Sequence, residues 1–513
     1  MTAPRFGELP AAAGGPSPAA EHPSDRRPAR PEPAEGPTAD PPALGRPKGR
    51  PPTADPPALS RAKGRPLGRS AASLLVALLA AALIAPAFVL GQSDEEPPEE
   101  GDAGTATSAE LPLPQLTEGP TGPLELEIYG PTRELYRIAV PPLGGHATAA
   151  QEARDVAKND LRLSSLFRLV DGTAGVGDPD DLGVEPTLWM DAGAQGVIKG
   201  TVELDGGDMT MTLRLFEMVR GDGAVLERTY DGSRSEIRSD VHDFINEVLL
   251  YFTGLRGIFG SRILFARPTS RESKDIFSVG MDGHGMKQWT RDQGKCIIPN
   301  WGPPGTVLYT AFEGDWAKLY RSDRTEPLLS EPGLNMGASI QGDKMAVVLT
   351  RDGNAEIYLA TVEGELLARL TFNDAIDVSP IWAPGGGRLA FVSDRDGTPQ
   401  IYVMNADGSG QSRVTFRGSY NQTPSWCGHC DAPSLTFAGR DGGTFDVFTV
   451  EIGTGTMRRL TQFQGSNADP TWSPDGRLIG FYSSRGGIYL MNTEGLNQNR
   501  VLGGFAETLR WAR

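Results

Sequence analysis

The chain has 513 residues, more than one ordinary hydrophobic core accommodates, so two or more domains are expected. Its formal charge is −16, from 49 Lys and Arg against 65 Asp and Glu, which argues against a nucleic-acid partner because phosphate backbones are held by clustered Lys and Arg. Three cysteines, Cys296, Cys427 and Cys430, are too few for a disulfide-built scaffold, so the globular part is held by its core.

Residues 1–70 are rich in Pro, Ala and charge with almost no aromatic side chains, a composition that cannot bury enough apolar surface to order itself. The phrase Pro37 to Leu44 (PTADPPAL) returns as Pro52 to Leu59. The segment reads as a disordered Pro/Ala-rich leader with polyproline II character. Low-complexity drift, or a start codon set too far upstream, explains it as well as a binding role does. Ala71 to Leu90 is then apolar except for Ser73 and Pro86. Twenty residues are just enough to span about 30 Å of hydrocarbon as a helix. Arg61, Lys63, Arg65 and Arg69 precede the run, and Asp94, Glu95, Glu96, Glu99 and Glu100 follow it. That asymmetry leaves the N-terminus in the cytoplasm and exports the rest. A cleaved signal over 71–91 and a retained membrane anchor both fit, since Ala85-Pro86-Ala87 and Val89-Leu90-Gly91 offer small residues for cleavage. Residues 92–123, acidic and rich in Pro and Gly, read as a flexible tether.

From 124 to 257 the pattern is that of a small α/β domain. Tyr136 to Val140 reads as a buried strand stopped by Pro141-Pro142. Residues 148–163 carry Ala153, Val156, Ala157 and Leu161 at helical spacing, ahead of a short strand at Arg168 to Val170. Gly196 to Leu204 and Met209 to Met218 form a hairpin about Asp205-Gly206-Gly207. Ser233 and Glu236 form a capping-box signature opening a helix. Its apolar face is Ile237, Val241, Phe244, Ile245, Val248, Leu249 and Phe252, and Gly254 and Gly257 end it.

From 258 to 513 the chain repeats. Pro-x-Trp recurs at Trp301, Trp382, Trp426 and Trp472, Ile340 fills a degenerate slot, and Trp511 is the last. Slots are 39, 42, 44, 46 and 39 residues apart, the period of a propeller blade or array. Between slots run four short strands separated by Asp/Asn/Gly turns. The first unit, from Arg262, lacks its Pro-x-Trp strand, and Thr508 to Trp511 is that strand with nothing after it. Joining them predicts an all-β six-bladed propeller closed by the C-terminal strand, with no sheet edge left open.

An exported leader, a small α/β domain and six blades carrying a Trp-Ser-Pro-Asp-Gly phrase together resemble the TolB family of periplasmic translocation proteins. The resemblance runs from Leu124 to Arg513. It includes Leu124-Glu-Leu-Glu-Ile-Tyr before Ile138-Ala-Val-Pro-Pro, Asn159-Asp-Leu-Arg before Leu166-Phe-Arg-Leu-Val-Asp171, and Trp189 before Gly196-Val-Ile-Lys-Gly200. It implies a periplasmic member of the Tol–Pal envelope system. The propeller would dock a Pal-type peptidoglycan-associated lipoprotein. The segment Leu124, Glu125, Leu126, Glu127, Ile128 and Tyr129 would engage a TolA-type inner-membrane protein. The long leader and acidic tether depart from the family pattern.

Chemistry is sparse. Trp426-Cys427-Gly428-His429-Cys430 copies a thiol oxidoreductase motif, but it occupies the turn after a propeller strand, without the helix N-terminus that lowers a thiol pKa. In an oxidising compartment, a Cys427–Cys430 disulfide bracing that turn is the better reading. Cys296 remains a lone thiol. Only His284 and His429 fall in the propeller and no Gly-x-Ser-x-Gly occurs, so neither metal, cofactor nor catalysis is expected. Five residues before the tryptophan slots stand Cys296, Asn335, Asp377, Asn421 and Asn467, on loops ringing one mouth of the channel. Local Asx-turn chemistry and partner contact both fit that pattern. Thr290, Arg291, Asn373, Asp374, Arg417 and Tyr420 add polar and aromatic groups suited to a protein interface. The leading expectation is a non-enzymatic scaffold; the alternative is a propeller enzyme or sensor taking a small glycan or peptide in its channel.

Overall fold

The structure, a computed structural model, describes residues 135–170, 178–291, 293–314 and 316–512. The leader, the Ala71 to Leu90 run, the tether and the segment Leu124 to Tyr129 lie outside the described residues. Among the described residues no helix is long and apolar enough to cross a membrane.

The first part is a six-stranded mixed sheet with two long helices. Strands β1 (Tyr136–Ala139), β3 (Phe167–Val170), β4 (Gly196–Asp205), β5 (Asp208–Glu217) and β6 (Ala224–Ser233) lie in the order β3-β1-β4-β5-β6, and β2 (Gly144–Gly145) adds to β4. β1 pairs in parallel with both neighbours, whereas β4, β5 and β6 form an antiparallel meander. Helices α1 (Ala147–Leu163) and α3 (Ile237–Thr253) bury the apolar faces expected from their spacing, with α2 (Pro186–Asp191) a short turn of helix between. The capping box forms: Glu236 Oε2 accepts the Ser233 backbone N–H at 2.7 Å. Gly254 ends α3 in the left-handed conformation (φ 73°), which glycine adopts without steric cost.

The propeller has six sheets, each beginning with the inner strand that leads to a tryptophan slot. Blades 2 to 6 begin with Cys296–Trp301, Asn335–Gln341, Asp377–Trp382, Tyr420–Trp426 and Asn467–Trp472. Blade 1 is completed by the C-terminal strand Glu507–Ala512, which pairs antiparallel with Arg262–Pro268, as the orphan Trp511 strand predicted. Blade 2 departs from the four-stranded plan. Its sheet has three strands, and the fourth is reduced to one bridge between Leu319 and Leu329. Pro327, which has no N–H to give a ladder, stands in that stretch.

A cross-strand ring pair recurs in five blades: Phe265–Phe277, Tyr309–Tyr320, Phe391–Tyr402, Phe437–Phe448 and Phe481–Tyr489, with centroids 5.6–6.0 Å apart. Blade 3 sets Val347 against Tyr358 at that register. Each ring pair contributes about 0.5–1.5 kcal/mol beyond the area it buries.

The α/β part sits on the end of the propeller where the tryptophans lie. One apolar cluster runs from Phe244 and Phe259 into Ile488, Leu490 and Trp511. Around it, Arg477 donates to Thr253 Oγ1 (3.2 Å) and to the Arg256 carbonyl (3.3 Å), and Asn497 donates to Ser165 Oγ (2.7 Å). The buried His242 of α3 is held between two carboxylates. Its Nδ1 lies 2.6 Å from Asp160 Oδ2 of α1, and its Nε2 lies 3.4 Å from Asp282 Oδ2, on a turn of blade 1. Arg238 pairs with the same Asp282 oxygen at 2.6 Å. Burial opposes protonation of His242, but the two carboxylates outweigh it and lift the imidazole pKa to about 9. Burial pushes Asp160 up to about 6. Asp282 is buried too, yet His242, the His284 N–H and Arg238 hold it well below the usual carboxylate range.

Candidate functional site

The inner strands give the channel two unlike ends. Each strand starts at the mouth distal to the α/β domain and finishes at a tryptophan slot on the near end. Halfway down, three residues before each slot, the chain turns left-handed: Ile298, Gly337, Ser379, Thr423, Asp469 and Thr508 all have φ between 49° and 55°. A register shift falls at the same place in every blade. The channel wall is thus a ring of six bulges, which explains how the strand twists sharply where blades converge.

The residues predicted to ring the distal mouth divide into two groups. Asn335, Asp377, Asn421 and Asn467, with Cys296, are fully buried. Asn335 Nδ2 donates to the carbonyls of Glu331 (2.8 Å) and Ala317 (3.2 Å). Asp377 Oδ2 accepts from Asn373 Nδ2 (2.7 Å) and Arg395 Nη2 (2.8 Å). Asn421 Nδ2 donates to Gln400 Oε1 (2.7 Å) and the Arg417 carbonyl (2.8 Å), and Asn467 Nδ2 donates to Asp446 Oδ1 (3.3 Å). These side chains fasten the loop that carries one blade into the next and face inward. Thr290 is buried in the same service: its hydroxyl donates to Asp275 Oδ1 and accepts the Ile276 N–H, both at 2.9 Å. Thr371, Thr415 and Thr461 accept the equivalent backbone N–H in blades 3, 4 and 5.

Arg291, Asp374 and Arg417 are exposed on the mouth, and Asn373 and Tyr420 are half-buried there. Tyr420 packs edge-on against Phe445 (5.7 Å) beneath the Arg440 guanidinium. Between them stand three aromatic residues that sequence reasoning passed over. Phe372, Phe416 and Phe463 are 72%, 74% and 94% exposed, on the corresponding loops after blades 3, 4 and 5. Arg369 and Arg413 lie over the first two rings at 4.9 and 5.2 Å. The signal was present: Leu370-Thr-Phe372, Val414-Thr-Phe416 and Leu460-Thr-Gln-Phe463 repeat one phrase, its threonine turned inward and its phenylalanine outward. Trp316, at the start of the strand Trp316–Arg321 in blade 2, is exposed as well.

At the near end, Cys427 and Cys430 are joined as a disulfide with Cα atoms 5.7 Å apart, across the turn after Trp426. The buried Cys296 thiol is pushed up to about 11 by burial. Among the described residues no three His, Cys, Asp or Glu side chains gather to hold a metal ion.

Comparison with known proteins agrees with this architecture. Residues 124–224 match the family model described as the TolB amino-terminal domain, and residues 250–432 match the one described as the TolB beta propeller domain. A Tol-Pal system protein TolB of Desulfosudis oleivorans is 37% identical over 234 residues, which is 44% of this chain and 53% of that protein. One from Anaeromyxobacter dehalogenans is 35% identical over 249 residues, 47% of this chain and 57% of that protein. The aligned region thus spans about half the length of the curated relatives. The crystal structure of TolB from Acinetobacter baumannii superposes with a TM-score of 0.65 at 22% identity, covering 74% of this chain and 97% of that one, a likeness of fold. With both TolB models matched in order on one chain, and a six-bladed ring closed by its own last strand behind an α/β domain, the protein belongs to the TolB family.

Proposed function

We propose that the chain is a periplasmic protein of the Tol–Pal system, acting as a scaffold rather than an enzyme. Its propeller mouth captures a Pal-type peptidoglycan-associated lipoprotein, and the segment Leu124 to Tyr129 engages a TolA-type inner-membrane protein. The observation that carries this reading is the arc of Phe372, Phe416 and Phe463 on the mouth farthest from the α/β domain. Largely exposed phenylalanines cost solubility, and several of them on one face with charged neighbours mark a surface that a protein partner covers. Arg291, Asp374 and Arg417 form the polar rim of that surface, while the buried Asn335, Asp377, Asn421 and Asn467 set its shape from beneath. The two relatives compared above are both named Tol-Pal system protein TolB, and that name supplies the system.

The test is capture from detergent-solubilised envelopes by the immobilised protein, with the bound lipoprotein identified by mass spectrometry. Phe416→Asp and Arg417→Glu should each reduce capture while leaving the melting temperature unchanged. Deleting residues 124–129 should abolish retention of the TolA-type partner and spare the lipoprotein. Undiminished capture by the mouth variants would remove this surface from the account.

A further inference from the structure

The end of the channel nearest the α/β domain holds a cavity of about 410 Å³, ringed by Trp301, Trp382, Trp426, Trp472 and Trp511. The residue just before each slot also lines it: Asn300, Ser339, Ile381, Ser425, Thr471 and Arg510. This inner ring is rich in donors. Ser339 Oγ, Ser425 Oγ and Thr471 Oγ1 accept the backbone N–H of Trp382, Trp472 and Trp511 at 3.1–3.2 Å. A hydroxyl whose oxygen is engaged in that way keeps its proton to donate. No carboxylate lines the cavity, and Arg510 is its one charged side chain.

That arginine is poorly compensated. Its Nη1 donates to the Leu509 carbonyl at 2.8 Å, its buried Nε has no hydrogen-bond partner, and no carboxylate pairs with it among the described residues. Asp469, whose carboxylate accepts the Thr508 N–H at 2.9 Å, acts on Arg510 through space but makes no direct ion pair with it. A buried cation with no carboxylate in direct contact is only partly offset by Asp469, and an anion arriving in the cavity would complete the compensation. One guanidinium with neutral hydroxyls matches a single negative charge, and the planar fork of arginine suits a carboxylate.

We propose that this tryptophan-ringed cavity is a binding site for a small carboxylate, free or at the end of a peptide, held by Arg510 with the hydroxyls of Ser339, Ser425 and Thr471. The site lies at the opposite end of the channel from the protein-docking mouth, so either assignment can fail without the other. Five tryptophans in the wall make it self-reporting. The purified protein is titrated at constant ionic strength with acetate, N-acetyl-diglycine and N-acetyl-diglycinamide while tryptophan fluorescence is followed. Saturable changes with the carboxylates and none with the amide are expected. Equal affinity for acetate and N-acetyl-diglycine identifies a free small acid; tighter binding of the longer compound identifies a peptide end. Arg510→Gln should weaken binding by about tenfold or more. The wild-type melting temperature should rise with either carboxylate. If Arg510→Gln does not fold, that melting shift decides by itself, since it must be absent with the amide. No saturable response to either carboxylate, or an equal response to the amide or in a folded Arg510→Gln, overturns the proposal.

Discussion

Single residues carry the channel's geometry, and the left-handed ring is where they do so. A β-branched side chain at φ near +50° is strained, and three of the six positions hold one, Ile298, Thr423 and Thr508. Gly337 is the unstrained member, and a Cβ placed there would come 3.1 Å from Ile298 Cγ2 of the neighbouring blade. Gly337→Val is therefore expected to cost about 1–3 kcal/mol in urea unfolding. Thr423→Gly should cost nothing, because it releases strain and removes a buried hydroxyl that has no partner. A marked loss in Thr423→Gly would show that the left-handed turn is not a strain at all. The spacing of these residues was legible in the sequence only as Pro-x-Trp; the strain itself is not, because the turn arises from six strands converging on one axis. The Asn and Asp five residues upstream were found for their period. Their inward direction was not legible, since an Asn that fastens a loop and an Asn that meets a partner look alike in one dimension.

At the scale of elements, legibility followed hydrophobic period. Helices α1 and α3, the β4–β5 hairpin and the inner strands were all foretold by apolar spacing and turn residues. Strand β6 was not, because Glu227, Arg228, Thr229 and Asp231 give it no alternation. It is an exposed edge strand, held through its ladder to β5 and by ion pairs such as Arg214–Glu227 (3.1 Å) and Arg228–Glu247 (2.5 Å). The helix α2 is too short to display a period. The Cys427–Cys430 turn shows how an element overrides a motif. The same four letters that serve redox chemistry at a helix N-terminus here close a strand-to-strand turn. Replacing both cysteines by serine should lower stability by about 2 kcal/mol or less, because so short a loop restricts the unfolded chain little. Lipoprotein capture should persist in that variant, since the turn lies at the other end of the channel from the mouth.

On the scale of the whole molecule, the α/β domain and the propeller are joined through His242, and that junction titrates. The folded pKa of about 9 lies above the ordinary histidine value, so its contribution is complete below about pH 6.5 and is lost as pH rises through 9. Asp160, raised to about 6, likewise favours the folded form more at lower pH, whereas the depressed Asp282 gives way only below the carboxylate range. Wild type should therefore lose on the order of 2–3 kcal/mol between pH 6.5 and 9.5 beyond what His242→Gln loses. Identical pH profiles for the two proteins would dissociate His242 from the junction. With the α/β domain on one end, the opposite mouth with its phenylalanine arc is the face proposed to meet a partner, and this is the claim on which the proposed function rests. Calorimetric titration of a purified Pal-type lipoprotein, without its lipid, into wild type and into a Phe372→Asp, Phe416→Asp, Phe463→Asp variant tests it most directly. The account predicts saturable binding by wild type and a loss of about tenfold or more in the variant, with its melting temperature unchanged. Equal affinity for the two proteins would contradict it.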